Sequence, residues 1–297
     1  MTGKTISGTG IAIVTPFRKD GSVDFKALVK HINFIISGGI DYIVVLGTTG
    51  ETPVLSKDEK KAIVCSVVEA VNNRVPVIMG VGGNNTSEVL DSIKNFSFEG
   101  INSILSVSPY YNKPGQEGIY QHFKTISEAS PIPVILYNVP GRTGSNVSAE
   151  TSLRLAKDNK GQIIAVKEAS GNLSQIMNIL KDKPAGFQVI SGDDAFTLPI
   201  IALGGSGVIS VIGNAFPADF SRMVKLALEG NLKEARKIHY KLLPAIDLAF
   251  AEGSPTGIKA FLEVMGIVSN NLRLPLVPAS KELYKKIESF AKSYSAS

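Results

Sequence analysis

Short runs of apolar, β-branched residues recur about every thirty residues along the chain, and each is followed by a longer segment whose apolar positions repeat at helical spacing. The runs are Gly10–Thr15, Tyr42–Leu46, Val75–Gly80, Ile101–Val107, Pro133–Tyr137, Gln162–Lys167, Gln188–Ser191 and Gly207–Val211. They are nearly continuous in Val, Ile and Leu, the pattern of parallel strands covered by helices on both faces. The segments between them carry helix starts: Asp24 before Phe25, Ser56 with Glu59 as a capping box, Thr86 before Val89, and Ser148 before Ala149. Eight strand-loop-helix units in residues 1–228 predict an α/β fold, a (β/α)8 TIM barrel. The competing doubly wound sheet lacks its phosphate-binding turn, since the first strand runs into Thr15-Pro16-Phe17-Arg18. From Asn231 onward only helical periodicity remains, as in Leu232, Ala235, Ile238 and Leu242 and again in Leu283, Ile287 and Phe290. Residues 229–297 therefore read as a C-terminal helical appendage, interrupted at Pro244, Pro255, Pro275 and Pro278.

Composition narrows the chemistry. In 297 residues, 44% are hydrophobic and 19% charged, which suits a large core and not a disordered chain. One cysteine, Cys65, excludes an intramolecular disulfide or a cysteine-zinc centre and points to a reducing compartment. His31, His122 and His239 are scattered, with no pair spaced to supply two metal ligands from one element. The net charge of +5 is dispersed among acids, as in Lys57-Asp58-Glu59-Lys60-Lys61, so nucleic acid is not the expected partner. Met1 to Gly10 shows no signal pattern, and no apolar run approaches the ~18 residues of a membrane span. A soluble, cytoplasmic protein with no membrane partner is the expectation.

Catalytic groups of such a barrel collect at the carboxyl ends of its strands. There the sequence places Gly47-Thr48-Thr49-Gly50-Glu51, Ser108-Pro109-Tyr110-Tyr111-Asn112, the stretch from Tyr137 to Gly144, Lys167-Glu168-Ala169, Gly192-Asp193-Asp194 and, in the eighth strand, Ile209. Lys167 ends an otherwise apolar strand. Alone it could be an ammonium reaching water; in a dry barrel mouth its neutral amine could attack a carbonyl. Imine formation also needs proton shuttles, and hydroxyls of Tyr137, Tyr111, Thr48 and Thr49 both donate and accept. Each has a plain structural alternative: a packed aromatic for the tyrosines, a satisfied turn for the threonines.

Together the motifs Gly47-Thr48-Thr49-Gly50-Glu51, Pro109-Tyr110-Tyr111-Asn112-Lys113-Pro114, Tyr137-Asn138-Val139-Pro140-Gly141-Arg142-Thr143-Gly144 and Lys167-Glu168-Ala169 resemble the dihydrodipicolinate synthase family. That family sits in the pyruvate-dependent lyase superfamily that also holds N-acetylneuraminate lyase. The resemblance runs from Gly10 through the helical tail. It implies condensation of pyruvate with L-aspartate 4-semialdehyde on the route to diaminopimelate and lysine, with the lysine as electron sink and no metal or organic cofactor. It implies that Lys167 forms the imine, that Tyr137 and Thr49 move protons, and that Tyr111 is contributed across a subunit interface of a homo-oligomer, usually a tetramer. It further implies that Thr48, Thr49, Arg142, Gly192 and Ile209 bind substrate. A guanidinium at Arg142 would grip a carboxylate that aspartate semialdehyde carries and a sugar chain lacks. As alternatives, Arg142 could pair with a nearby acid, the enzyme could be a sugar-acid aldolase, or the barrel could be a non-catalytic sensor of pyruvate or an amino acid.

Lysine-sensitive members of the family have an interface allosteric site, and Asn84, Glu88 and Tyr110 match its amide, carboxylate and tyrosine. Lys57 and Lys60 stand where sensitive members carry histidines, which sets two cations against a cationic effector. Asn84 as a helix cap and Glu88 as a first-turn acid is the simpler alternative.

Overall fold

A computed structural model describes residues 6–295. Residues 1–5, the start of the segment read as lacking a targeting signal, and 296–297, the last of the appendage, lie outside it. Within it the eight predicted runs become β1 (Gly8–Ala12), β2 (Tyr42–Val45), β3 (Val77–Gly80), β4 (Ser103–Val107), β5 (Val134–Asn138), β6 (Ile163–Glu168), β7 (Gln188–Ser191) and β8 (Gly207–Ser210). Each strand pairs in parallel with the next and β1 closes on β8, giving a closed barrel. The largest boundary difference is in β1, which starts two residues before the apolar run and ends three before its end, at Ala12. Gly8 opposes Gly207, and a Cβ on Gly207 would fall 2.0 Å from the Gly8 carbonyl oxygen. Gly207 thus lets the backbones close the barrel, and Gly8 makes room for the Asp41 side chain, where apolar patterning gives no signal.

The pleat sorts each strand's side chains. Ala12, Val44, Ile78, Leu105, Ile135, Tyr137, Ala165, Ile190 and Ile209 share the barrel interior. Alternate residues such as Ile43, Val45, Met79 and Ile104 pack outward under the helices. Three helix starts match expectation. Asp24 accepts the Ala27 N–H at 3.0 Å, Ser148 the Thr151 N–H at 3.1 Å, and Ser56 and Glu59 bond reciprocally at 3.2 and 2.9 Å. The fourth moves by one residue: Asn85, not Thr86, is the cap, with its side chain accepting the Ser87 N–H. Asn is the stronger capping residue, and Thr86 turns its hydroxyl to His122 at 2.9 Å instead.

The tail is helical at Leu232–Phe250, Thr256–Val264 and Lys281–Ser295. Pro244 does not interrupt it. The proline lies inside the first of these helices, whose buried Leu242, Ala245, Ile246 and Ala249 pack against the core on either side of it, while Tyr240, four residues earlier, is 62% exposed. The same apolar cluster joins Val14, Val208 and Ile212 of the barrel wall to Leu242, Phe261 and Ile287 of the tail. Among the described residues no helix is long and apolar enough to cross a membrane.

Candidate active site at the barrel mouth

The two-residue period of β6 turns Ala165 inward and Val166 outward, and so carries Lys167 into the barrel. Tyr137 lies opposite it in the β5–β6 register, and the Lys167 Nζ sits 4.3 Å from the Tyr137 ring centroid. Both side chains are buried. Among the described residues no carboxylate forms an ion pair with Lys167. Gly192, just past β7, makes room for it: a Cβ there would meet the Lys167 Cε at 3.0 Å, its Cγ at 3.1 Å and the Ala169 Cβ at 2.7 Å. Ile209 faces the same interior at 1% exposed. A buried amine beside a phenol is suited to forming and dehydrating a carbinolamine.

Behind the lysine, the next residue points outward into a polar girdle. Glu168 is fully buried and its carboxylate accepts from Asn138 Nδ2 at 3.1 Å, the Ser170 N–H at 2.9 Å and Gln175 Nε2 at 3.0 Å. Asn138 Oδ1 in turn accepts the Val147 N–H at 2.9 Å. These bonds lock the ends of β5 and β6 together, which fixes Tyr137 against Lys167. Neither Asn138 nor Glu168 was assigned a role from sequence. The usable signal was a polar residue on the outward, helix-covered face of a strand.

The β2 loop begins on strained backbone. Leu46 has φ 56, Thr48–Gly50 forms a 3-10 turn, and Glu51 has φ 55. Thr49 is buried and Thr48 exposed, so the turn offers one hydroxyl to each side. Thr15 Oγ1 donates to the Gly50 carbonyl at 2.7 Å and Thr52 Oγ1 to the Gly47 carbonyl at 2.9 Å, fixing both ends. Glu51 is buried against Lys259 of the tail helix Thr256–Val264, a partnership sequence reasoning missed. Burial, opposed by Glu51, brings the Lys259 amine down to about 8. Hydrogen bonding from Arg273 holds the Glu59 carboxyl down to about 2. Elsewhere on the same rim, burial pushes the Asp194 carboxyl up to about 6, and it accepts the Val211 and Ile212 N–H groups at 3.1 and 2.8 Å, shaping the turn after β8.

Arg142 lies in the short helical turn Pro140–Thr143. It is exposed and forms no ion pair among the described residues, so the alternative of a salt-bridged loop arginine finds no partner there. The turn is held by Thr143 Oγ1, which donates to the Ser145 carbonyl at 2.7 Å, and by Gly144, against which the Lys113 side chain packs. The 109–114 loop thus leans on the arginine turn. Tyr110 is 41% exposed and Tyr111, at φ 70, is 88% exposed, so within one chain these rings stand apart from the Lys167–Tyr137 pair.

The residues matched to the allosteric site are on the β3 side. The Asn84 carbonyl accepts from Asn112 Nδ2 at 3.0 Å, and Glu88 accepts from Asn85 Nδ2 at 3.1 Å. Capping there belongs to Asn85, which corrects the simpler reading of Asn84. Burial and then Lys57 hold the Lys60 amine below the usual lysine range. A groove of about 510 Å³ lined by Leu90, Ile93, Phe96, Phe98, Ala129 and Pro131 lies among the outer helices and contains none of the strand-end residues.

The sequence matches the model of the dihydrodipicolinate synthetase family over residues 5–294. It is 53% identical over 288 residues to a 4-hydroxy-tetrahydrodipicolinate synthase of Flavobacterium psychrophilum, covering 97% of this chain and 98% of that one. The fold superposes on a dihydrodipicolinate synthase from Thermotoga maritima with TM-score 0.95 and 39% identity, covering 98% of this chain and 99% of that one. A chloride-inhibited dihydrodipicolinate synthase from Acinetobacter baumannii, solved with pyruvate, gives TM-score 0.94 at 37% identity, again covering 98% and 99%.

Proposed function

The chain belongs to the dihydrodipicolinate synthetase family, a lyase family of the class I aldolase type, and from that premise we propose that Lys167 is its imine-forming residue. The reaction is the condensation of pyruvate with L-aspartate 4-semialdehyde to 4-hydroxy-tetrahydrodipicolinate. The Lys167 Nζ adds to C2 of pyruvate, and loss of the carbinolamine oxygen as water leaves the imine. A methyl proton is removed to give the enamine, whose terminal carbon bonds to the aldehyde carbon. The amine of the bound semialdehyde then adds to C2, expels Lys167 and closes the ring.

The observation that carries this reading is the buried Lys167 amine, 4.3 Å from the Tyr137 ring, its methylenes passing where Gly192 lacks a side chain. The Tyr137 hydroxyl supplies the proton that leaves with water and then takes up the methyl proton as the enamine forms, relayed through Thr49 and Tyr111. Thr48 and the Thr49 amide bind the pyruvate carboxylate, and Arg142 binds that of the semialdehyde. Tyr111, 88% exposed in the single chain, is the ring a partner subunit would receive, which supports a homo-oligomer, at least a dimer and in its full form a tetramer. Cys65, an exposed free thiol, fits work in the reducing cytoplasm.

Incubation with pyruvate and borohydride is expected to add the mass of a reduced pyruvate adduct to a peptide containing Lys167. An unmodified Lys167 peptide from protein that has bound pyruvate would overturn the assignment. Arg142→Ala is expected to raise KM for aspartate semialdehyde by roughly 10- to 100-fold, the worth of a charge-assisted hydrogen-bond pair, and to leave pyruvate trapping intact. Equal use of aspartate semialdehyde and a sugar acid, unchanged by the substitution, would show that Arg142 does not select the second substrate.

A further inference from the structure

Outside the Lys167 site, a fully buried ion pair ties the helical tail to the barrel. Lys259 and Glu51 pair with both side chains fully inaccessible, across 208 residues of sequence. Lys259 also donates to the Asn271 carbonyl at 2.8 Å and lies 4.3 Å from the Phe17 ring centroid. The second oxygen of Glu51 accepts the Arg273 N–H at 3.1 Å. The Arg273 guanidinium, 4.4 Å from the same Phe17 ring, reaches the Gly21 and Val54 carbonyls at 2.7 and 2.9 Å and pairs with Glu59. Two cations from the tail therefore grip the loop after β1, the loop after β2 and the first turn of the following helix.

A buried ion pair is a poor way to gain stability, because desolvation consumes most of its attraction and an apolar pair of equal volume does as well or better. It is a good way to enforce one geometry. Glu51 is the residue after Thr48-Thr49-Gly50, and its left-handed backbone is held by a carboxylate fixed at both oxygens. Releasing it would let the 3-10 turn that carries both threonines relax.

We propose that Lys259 is a positioning residue for the condensation, setting through Glu51 the orientation of the Thr48–Thr49 turn that holds the pyruvate carboxylate. The helical tail is thereby part of the support of the active site. The inference rests on the pyruvate-binding role given to Thr48 and Thr49 above.

The test compares full-length Lys259→Met with the double variant Glu51→Gln/Lys259→Met. The single variant strands a buried carboxylate, so its folding is at risk. The double variant removes both charges at similar volume and is expected to melt near the native temperature. In it KM for pyruvate is expected to rise roughly 10- to 100-fold, the scale of a reacting group displaced by about an ångström. KM for aspartate semialdehyde should stay within about threefold, and borohydride at saturating pyruvate should still label Lys167. A double variant with native melting and native KM for pyruvate would overturn the proposal. Failure to label Lys167 in the native protein would instead overturn the imine assignment, so the two failures are distinguishable.

Discussion

Lys167→Met protein is expected to lose condensation activity by roughly 10⁴-fold or more, the scale reached when a covalent nucleophile is removed, while its melting temperature holds or rises. Lys167 is buried, and its near neighbours are the Tyr137 ring, Ala169 and Gly192. No ion pair among the described residues compensates its charge, so the folded protein carries a desolvated amine that an unbranched apolar side chain of similar length would replace at no cost in packing. What is lost structurally is an ammonium-ring contact worth about 0.5–2 kcal/mol. Lost chemically is the proposed nucleophile; Lys259, buried as well, is held by Glu51 and the Asn271 carbonyl. Stability and activity should therefore move in opposite directions, as expected where an active-site group is kept for function. Steady-state turnover and a thermal melt on the same preparation check this. Retention of a tenth of native activity would remove Lys167 from the mechanism.

The eight strands were legible because a strand buried on both faces needs an unbroken apolar run, and that run is visible without knowing its partners. The ends were less legible. β1 extends to Gly8 only because another glycine, Gly207, allows the close approach across the barrel seam, and single-strand patterning does not report a partner 199 residues away. Pro244 reads as a helix break from local chemistry, yet burial of Leu242, Ala245 and Ile246 around it outweighs one lost backbone bond. At the site, Lys167 and Tyr137 were legible since strand ends and a period of two fix both their rim and their face. Gly192 was legible as a position but not for its reason, which is the volume needed by the Lys167 side chain. Lys259 gave no signal at all. In an amphipathic helix a lone lysine resembles a solvated one, and only the folding of the tail against the β2 loop buries it beside Glu51.

Tyr137→Phe separates the role proposed for Tyr137 from that proposed for Lys167. Phenylalanine keeps the ring that faces the Lys167 amine and fills the same buried space between β4 and β6, so the fold and the lysine's setting are retained. Only the hydroxyl is lost. If that hydroxyl protonates the departing carbinolamine oxygen and moves the methyl proton, its removal slows every proton-transfer step without removing the nucleophile. The expected fall in kcat is roughly 10²- to 10⁴-fold, the usual share of a positioned acid-base group. The rate at which borohydride traps the pyruvate adduct should drop with it. The end point should not: given time, uncatalysed dehydration still delivers the imine, and the peptide bearing Lys167 should reach full labelling. Slow but complete trapping in Tyr137→Phe, against no trapping in Lys167→Met, is the pattern that distinguishes a proton shuttle from a nucleophile. A Tyr137→Phe protein that traps pyruvate at the native rate and keeps kcat within about threefold would show that the ring alone matters. The proton path would then have to run from solvent or through Thr49.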